Sequence, residues 1–279
     1  MMDDLILDTH LHLVDRVQLR YPWLRNVPSL NQDWPLASYA SQAHKLGIGG
    51  ALHMEVDVAD DLIEQETTWI EEQTPNSPIP ILGIIAACRP EAIGFEAFLE
   101  RNTDRVVGFR RPLHVVPDET SQTPDFRANV ARLAKTGHVF DLCVTAGQLP
   151  LAIGLADAAP STQMVLDHCG VPDIAGGEWD AWAGHIANLA QRPNVCVKIS
   201  GVIAYGGDHW HLQDLHRWFN HTVTCFGIER VCWGGDWPVC TLGGGLAIWV
   251  AATRALTADW SADDRAALFH QNARRIWRL

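Results

Sequence analysis

Short apolar, β-branched runs alternate along the chain with longer segments whose apolar positions recur at helical spacing. The runs are Leu5–Leu13, Gly50–Val56, Ile79–Cys88, Val106–Leu113, Val139–Thr145, Gln163–Cys169, Val195–Val202 and Arg230–Trp237. Helical periodicity marks Leu36–Leu46, Ala59–Gln73, Phe95–Arg101, Asp125–Lys135, Pro150–Ala158, Trp179–Gln191 and Trp210–Phe226 between them. Gly245–Leu256 and a closing helix near Ala262–Trp277 follow the eighth run, with Ser261 and Asp264 at capping spacing for the last helix. Strands that alternate with helices imply parallel pairing through right-handed crossovers, and eight such units can close into a barrel. An open doubly wound sheet is the alternative, but it usually carries a Gly-rich phosphate loop after its first strand. Here that strand ends His10-Leu11-His12-Leu13. The pattern therefore predicts an α/β chain folded as a (β/α)8 TIM barrel, a single domain over residues 1–279.

Val14–Pro35 breaks the alternation. It contains Tyr21, Pro22, Trp23, Pro28, Trp34 and Pro35, and its prolines argue against a long helix. It follows the first strand, on the side where barrel active sites lie. Two readings stay open, a lid over the mouth and a packed surface loop.

Hydrophobic residues make up 47% of the 279 positions and charged residues 19%, enough for a large core and too apolar for disorder. The formal net charge of -12 repels phosphate backbones and anionic lipid. A small-molecule substrate is expected, without nucleic-acid or membrane partners, in a monomer or homodimer. An anionic substrate would need local arginines. The start of the chain lacks a basic, apolar leader, no apolar run is long enough to span a bilayer, and the seven cysteines form no C-x-x-C pair. These features predict a cytoplasmic protein with reduced thiols.

Side chains two apart on a strand share a face. His10 and His12 therefore converge at the end of the first strand, with Asp8 expected on the same side one layer deeper. Two imidazoles so placed suit zinc. The sixth run ends Asp167-His168-Cys169-Gly170, where His168 is either a ligand or a satisfied buried histidine. The eighth ends Gly234-Gly235-Asp236-Trp237-Pro238. A carboxylate there can bind metal, serve as general base toward water, or cap a turn. Arg110 and Arg111 end the fourth run; alternation sends one inward, to hold a carboxylate or polarise a carbonyl, without saying which. His114 follows in the next loop. Glu55 ends the second run within reach of metal or a substrate hydroxyl, and Lys198, near the end of the seventh, is placed to pair with Asp236 or Glu55. Trp23, Trp34 and Trp237 fall on segments facing the site, where indole either stacks on a sugar ring or packs. His209 and His211 lie in the loop after the seventh strand as weaker contact candidates. His44, His185, His216, His221 and His270 fall on helices away from the mouth.

Together these residues resemble the amidohydrolase superfamily, and within it the sugar-lactonase branch of fuconolactonase-like, rhamnonolactonase-like and pyrone-dicarboxylate lactonase enzymes. The markers, in order, are Asp8-Thr9-His10-Leu11-His12, Leu19-Arg20-Tyr21-Pro22-Trp23-Leu24, Val107-Gly108-Phe109-Arg110-Arg111, Val165-Leu166-Asp167-His168-Cys169-Gly170, Lys198-Ile199-Ser200-Gly201 and Gly235-Asp236-Trp237-Pro238. The resemblance implies a hydrolase of carbohydrate metabolism that opens an aldonolactone or a related carboxylated lactone. It implies that His10, His12, His168 and Asp236 form the catalytic group, with Asp236 as general base, and that the same four would hold one divalent metal, zinc first, in members that use one. Other members work without metal. Two-metal members place a lysine or glutamate on the fourth strand and a histidine on the fifth, and Val106–Leu113 and Val139–Thr145 have neither. Arg110, Arg111, His114, Trp23, Glu55 and Lys198 are the expected substrate contacts. No G-x-S-x-G elbow offers a serine nucleophile. The alternatives are a metal-dependent decarboxylase of the same superfamily and, more remotely, a barrel that only binds a small ligand.

Overall fold

A computed structural model describes residues 5–207 and 209–279, with Asn76 described by its backbone alone. Eight parallel strands stand in sequence order: β1 Ile6–Leu11, β2 Ile48–Met54, β3 Ile81–Ala87, β4 Val106–Pro112, β5 Val139–Cys143, β6 Met164–Leu166, β7 Val195–Ser200 and β8 Val231–Gly234. The last strand returns to the first. Leu11 bridges Trp237, the His12 N–H donates to the Trp237 carbonyl at 2.8 Å, and the Asp236 N–H donates to the His10 carbonyl at 2.8 Å. The result is a nearly closed barrel. Around it lie α1 Leu36–Ala43, α2 Ile63–Gln73, α3 Phe95–Glu100, α4 Pro124–Thr136, α5 Leu149–Ala158, α6 Asp180–Leu189, α7 Leu212–Phe226 and α8 Leu246–Leu256. The closing helix runs from α9 Ala262–Ala266 through one wide turn to α10 Asn272–Trp277. Ser261 caps it as expected, accepting from the Asp264 N–H at 3.0 Å and donating to its carboxylate at 2.8 Å. No helix among the described residues is long and apolar enough to cross a membrane.

Alternation along the strands separates two apolar layers. Leu7, Leu52, Met54, Ile85, Val139, Val165, Cys196 and Cys232 pack with Ala273, Ile276 and Trp277 of α10, which closes the barrel from below. The other strand faces join the helices in a second, larger cluster. Register shifts interrupt the β1–β2, β2–β3 and β3–β4 pairings, and the one after Asp8 bears on the site. Asp8 pairs with Ala51 and Leu11 with His53, so three steps along β1 match two along β2. Such an extra residue re-aims the side chains beside it. Asp8 consequently does not share the side of His10. It turns toward α1, accepting from the Tyr39 hydroxyl at 2.7 Å and the Gly235 N–H at 2.6 Å.

The expected runs overshoot the strands at their C-terminal ends, most of all in the eighth, where the sheet stops at Gly234, and in the sixth, where it stops at Leu166. His168 and Cys169 adopt left-handed backbone there, with φ of 53° and 54°. Val14–Pro35 is an ordered loop. Val14 and Trp34 pair across its base, Pro22–Asn26 makes a short tight turn, and Leu19, Leu24 and Leu30 are buried beneath it.

Candidate active site

The strand ends deliver buried polar groups to one mouth. His10 comes from β1 and His12 from the residue just beyond it, Arg110 from β4, and Asp167 and His168 from the turn after β6. Ser200 ends β7 and Asp236 follows β8. Asp236 is the hub. Its Oδ1 lies 3.4 Å from His12 Nε2 and 3.7 Å from His10 Nε2, and its Oδ2 lies 3.6 Å from His168 Nδ1. It is 1% exposed, in left-handed backbone at φ 55°, and Oδ2 has no hydrogen-bond partner among the described residues. Burial pushes its pKa up to about 6, against the pull of His168 and Arg110. Gly201 makes room for it: a Cβ at that position would stand 2.1 Å from Asp236 Oδ2.

The imidazoles are neutral because burial disfavours their charged form, driving His12 down to about 4 and His10 well below its ordinary value. His12 Nδ1 lies 3.0 Å from the Met54 carbonyl, which can only accept. The hydrogen-bond network thus assigns the proton to Nδ1 and turns the Nε2 lone pair to Asp236. Two acceptors face each other there at 3.4 Å, an arrangement that a cation between them relieves. His10, His12 and Asp236 have donor atoms close enough to share one metal ion, as do His10, Asp167 and His168. His168 Nδ1 is held by the Ser200 hydroxyl at 2.9 Å.

Beneath these groups runs a buried ion chain. Lys198 Nζ meets Asp141 at 2.6 Å, Asp167 at 3.0 Å and His10 Nδ1 at 3.3 Å. Arg110 donates through Nε to Glu55 at 2.6 Å, through Nη2 to the Glu55 carbonyl at 2.8 Å and through Nη1 to Asp167 at 3.3 Å. Burial alone would raise Asp167, but Lys198 and His10 hold it well below the usual carboxylate range. Asp141, at the end of the chain, is pushed up to about 7 by burial in spite of Lys198.

Above lies a cavity of about 370 Å³. His12, Arg110, His168, Asp236 and Tyr205 form its polar side, and Trp23, His114, Val56, Pro112 and Val239 are among its other walls. Of the expected substrate contacts, Trp23, His114 and Arg110 line the cavity and three others do not. Arg111 turns away to pair with Glu91 at 2.8 Å, so Arg110 is the inward arginine. Glu55 is fully buried, its carboxylate taken by Arg110 and by the Asp57 N–H at 2.7 Å, which leaves it closed to metal or hydroxyl. Lys198 is also fully buried and pairs with Asp141 and Asp167 rather than with Asp236 or Glu55. His209 is exposed and His211 caps α7, neither in the cavity wall. Trp237 packs on Trp34 and Tyr39 behind the site. The sequence reading missed Asp141, Tyr205 and Asp57. Only Asp141 had a signal, a lone carboxylate inside an apolar run.

The strand ends thus bring imidazoles and the raised Asp236 carboxylate to an open cavity. The chain belongs to the amidohydrolase family, whose model matches residues 7–279. It is 25% identical to an L-fucono-1,5-lactonase of Burkholderia multivorans over 300 aligned positions, covering 100% of this chain and 97% of that one. It is 26% identical to a 4-sulfomuconolactone hydrolase of Rhizobium radiobacter, covering 83% and 75%. Among solved structures, an amidohydrolase from Burkholderia multivorans with bound zinc superposes with a TM-score of 0.89 at 23% identity, over 99% of both chains. That likeness confirms the fold.

Proposed function

We propose that the protein hydrolyses a lactone by general-base activation of water. The carrying observation is Asp236: a buried carboxylate with an unpartnered oxygen at a cavity, its pKa raised to about 6, so that it is ionised near neutrality yet basic enough to take a proton. Water held at Asp236 attacks the lactone carbonyl carbon and gives its proton to the carboxylate. Arg110 at the cavity wall faces the developing oxyanion, while the Nε2 atoms of His10 and His12 present lone pairs suited to a cation rather than to an anion. The bond to the ring oxygen then breaks, Asp236 returns the proton to that oxygen, and a hydroxy acid leaves. The lactonase names of two relatives support the cyclic ester as substrate.

His10, His12 and Asp236, with His168 beside them, fit one divalent cation by donor chemistry, nitrogen and oxygen in the mixture zinc accepts. When bound, such an ion would lower the pKa of water and polarise the carbonyl. The test is acid release from a panel of aldonolactones by metal-stripped and by zinc-supplemented protein. Ring opening in either sample supports the reading, and restoration by zinc assigns the ion a part. Carbon dioxide release from an aromatic or enoic acid, with no lactone opened, would overturn it in favour of a decarboxylase.

A further inference from the structure

Among the described residues, the arginines and the lysine beside the cavity are each matched to a carboxylate. Arg110 is committed to Glu55 and Asp167, Lys198 to Asp141 and Asp167, and Arg111 to Glu91. Arg89 bonds Asp60 at 2.7 Å and stands 3.7 Å from Asp57. Carboxylates are in excess. Asp236 has no cationic side chain bonded to it, and Asp57 lines the cavity with its side chain 24% exposed and paired only at 3.7 Å with an Arg89 that Asp60 already holds more closely. The backbone fixes Asp57 there, with φ of 49° and its N–H bonded to Glu55. Burial and the nearby Glu55 raise its pKa against the pull of Arg89, Arg110 and Arg111.

Resting on the lactonase reading, we propose that Asp57 is a specificity-determining residue. It makes the site admit neutral lactones, disfavour lactones bearing a carboxylate or sulfonate, and expel the anionic hydroxy acid that each turnover generates. Hydrolysis converts a neutral ring into an anion and a proton, so a wall charge that is indifferent to the substrate repels the product. Such discrimination needs no contact favouring the substrate, only one that opposes its competitor. The residue suits the position for a second reason, since Asp and Asn tolerate left-handed backbone better than other side chains. Asp57→Asn therefore removes the charge while keeping shape and conformation.

The experiment is calorimetric titration of galactonate, and separately of galactono-1,4-lactone, into zinc-supplemented wild-type and Asp57→Asn protein at low and high salt. The expected result is galactonate binding on the order of tenfold tighter to the variant at low salt, with the gain shrinking as salt screens the charge. Equal galactonate affinity in the two proteins would overturn the proposal. So would a gain shared equally by the neutral lactone, which would assign the effect to shape. Turnover is not needed for this comparison, so a failure to hydrolyse lactones counts against the lactonase reading alone.

Discussion

Asp236 concentrates the chemistry because three features meet on one side chain: burial, proximity to three imidazoles, and an oxygen with no donor. Asp236→Asn should keep the fold and lower kcat/KM about 10²–10⁴-fold, the usual worth of a general base; a loss below tenfold would remove it from that role. The base works ionised. In metal-free protein, activity should fall as pH drops through about 6 and level off above it. A bound cation favours the carboxylate, so zinc should move that limb to lower pH, and a pH–rate profile with and without zinc reads both. Gly201→Ala tests the space Asp236 needs. The added methyl would meet Oδ2 in left-handed backbone at φ 57°, so activity should drop at least tenfold while circular dichroism stays native. His10, His12, His168 and Asp236 were legible in the sequence because each is polar where an apolar run stops. The choice between Arg110 and Arg111 was not, because it depends on Glu55 and Glu91, carboxylates brought in from other parts of the chain. Asp57 and Tyr205 lie in loops, where no periodicity marks a direction.

The elements that carry these residues are plain in the pattern up to the edge of the sheet. Strand starts agree closely with the apolar runs, while the runs continue past the strand ends, because residues that fold over the site remain buried. The extra residue in β1 was invisible, since strict alternation is what the pattern assumes; it sends Asp8 to Tyr39 while His10 stays at the mouth. Val14–Pro35 shows why proline and tryptophan accumulate in one loop. Its leucines anchor it, and Trp23 donates its indole N–H to the Val56 carbonyl at 2.8 Å and faces the cavity. That bond orients a flat apolar wall beside the histidines. Trp23→Ala should raise KM for a productive lactone several-fold with a smaller change in kcat, as expected when uniform binding is removed. An unchanged KM would make the indole packing alone.

The molecule as a whole is layered along the barrel axis, and the order of the layers separates stability from catalysis. At the bottom, Trp277, Ile276 and Ala273 fill the barrel against Leu7, Val139, Val165 and Cys232. The Lys198 ammonium lies 5.3 Å from the Trp277 ring centre, and its ion chain forms the next layer. The histidines and Asp236 stand above that, under the cavity. Helical periodicity exposed the closing segment as a helix, but no local pattern says that its last turn plugs a barrel closed by seven earlier crossovers. Truncating a buried tryptophan leaves a cavity that its neighbours only partly refill. Trp277→Ala should therefore destabilise the fold by about 3–5 kcal/mol, seen as a lowered Tm. Lys198 keeps Asp141 and Asp167 in the variant, so the layer above should hold its geometry. Assayed well below the transition, kcat/KM should then stay within tenfold of wild type. A larger loss in protein shown to be folded would mean that the ion chain passes the disturbance upward, and that the floor of the barrel helps set the position of His10.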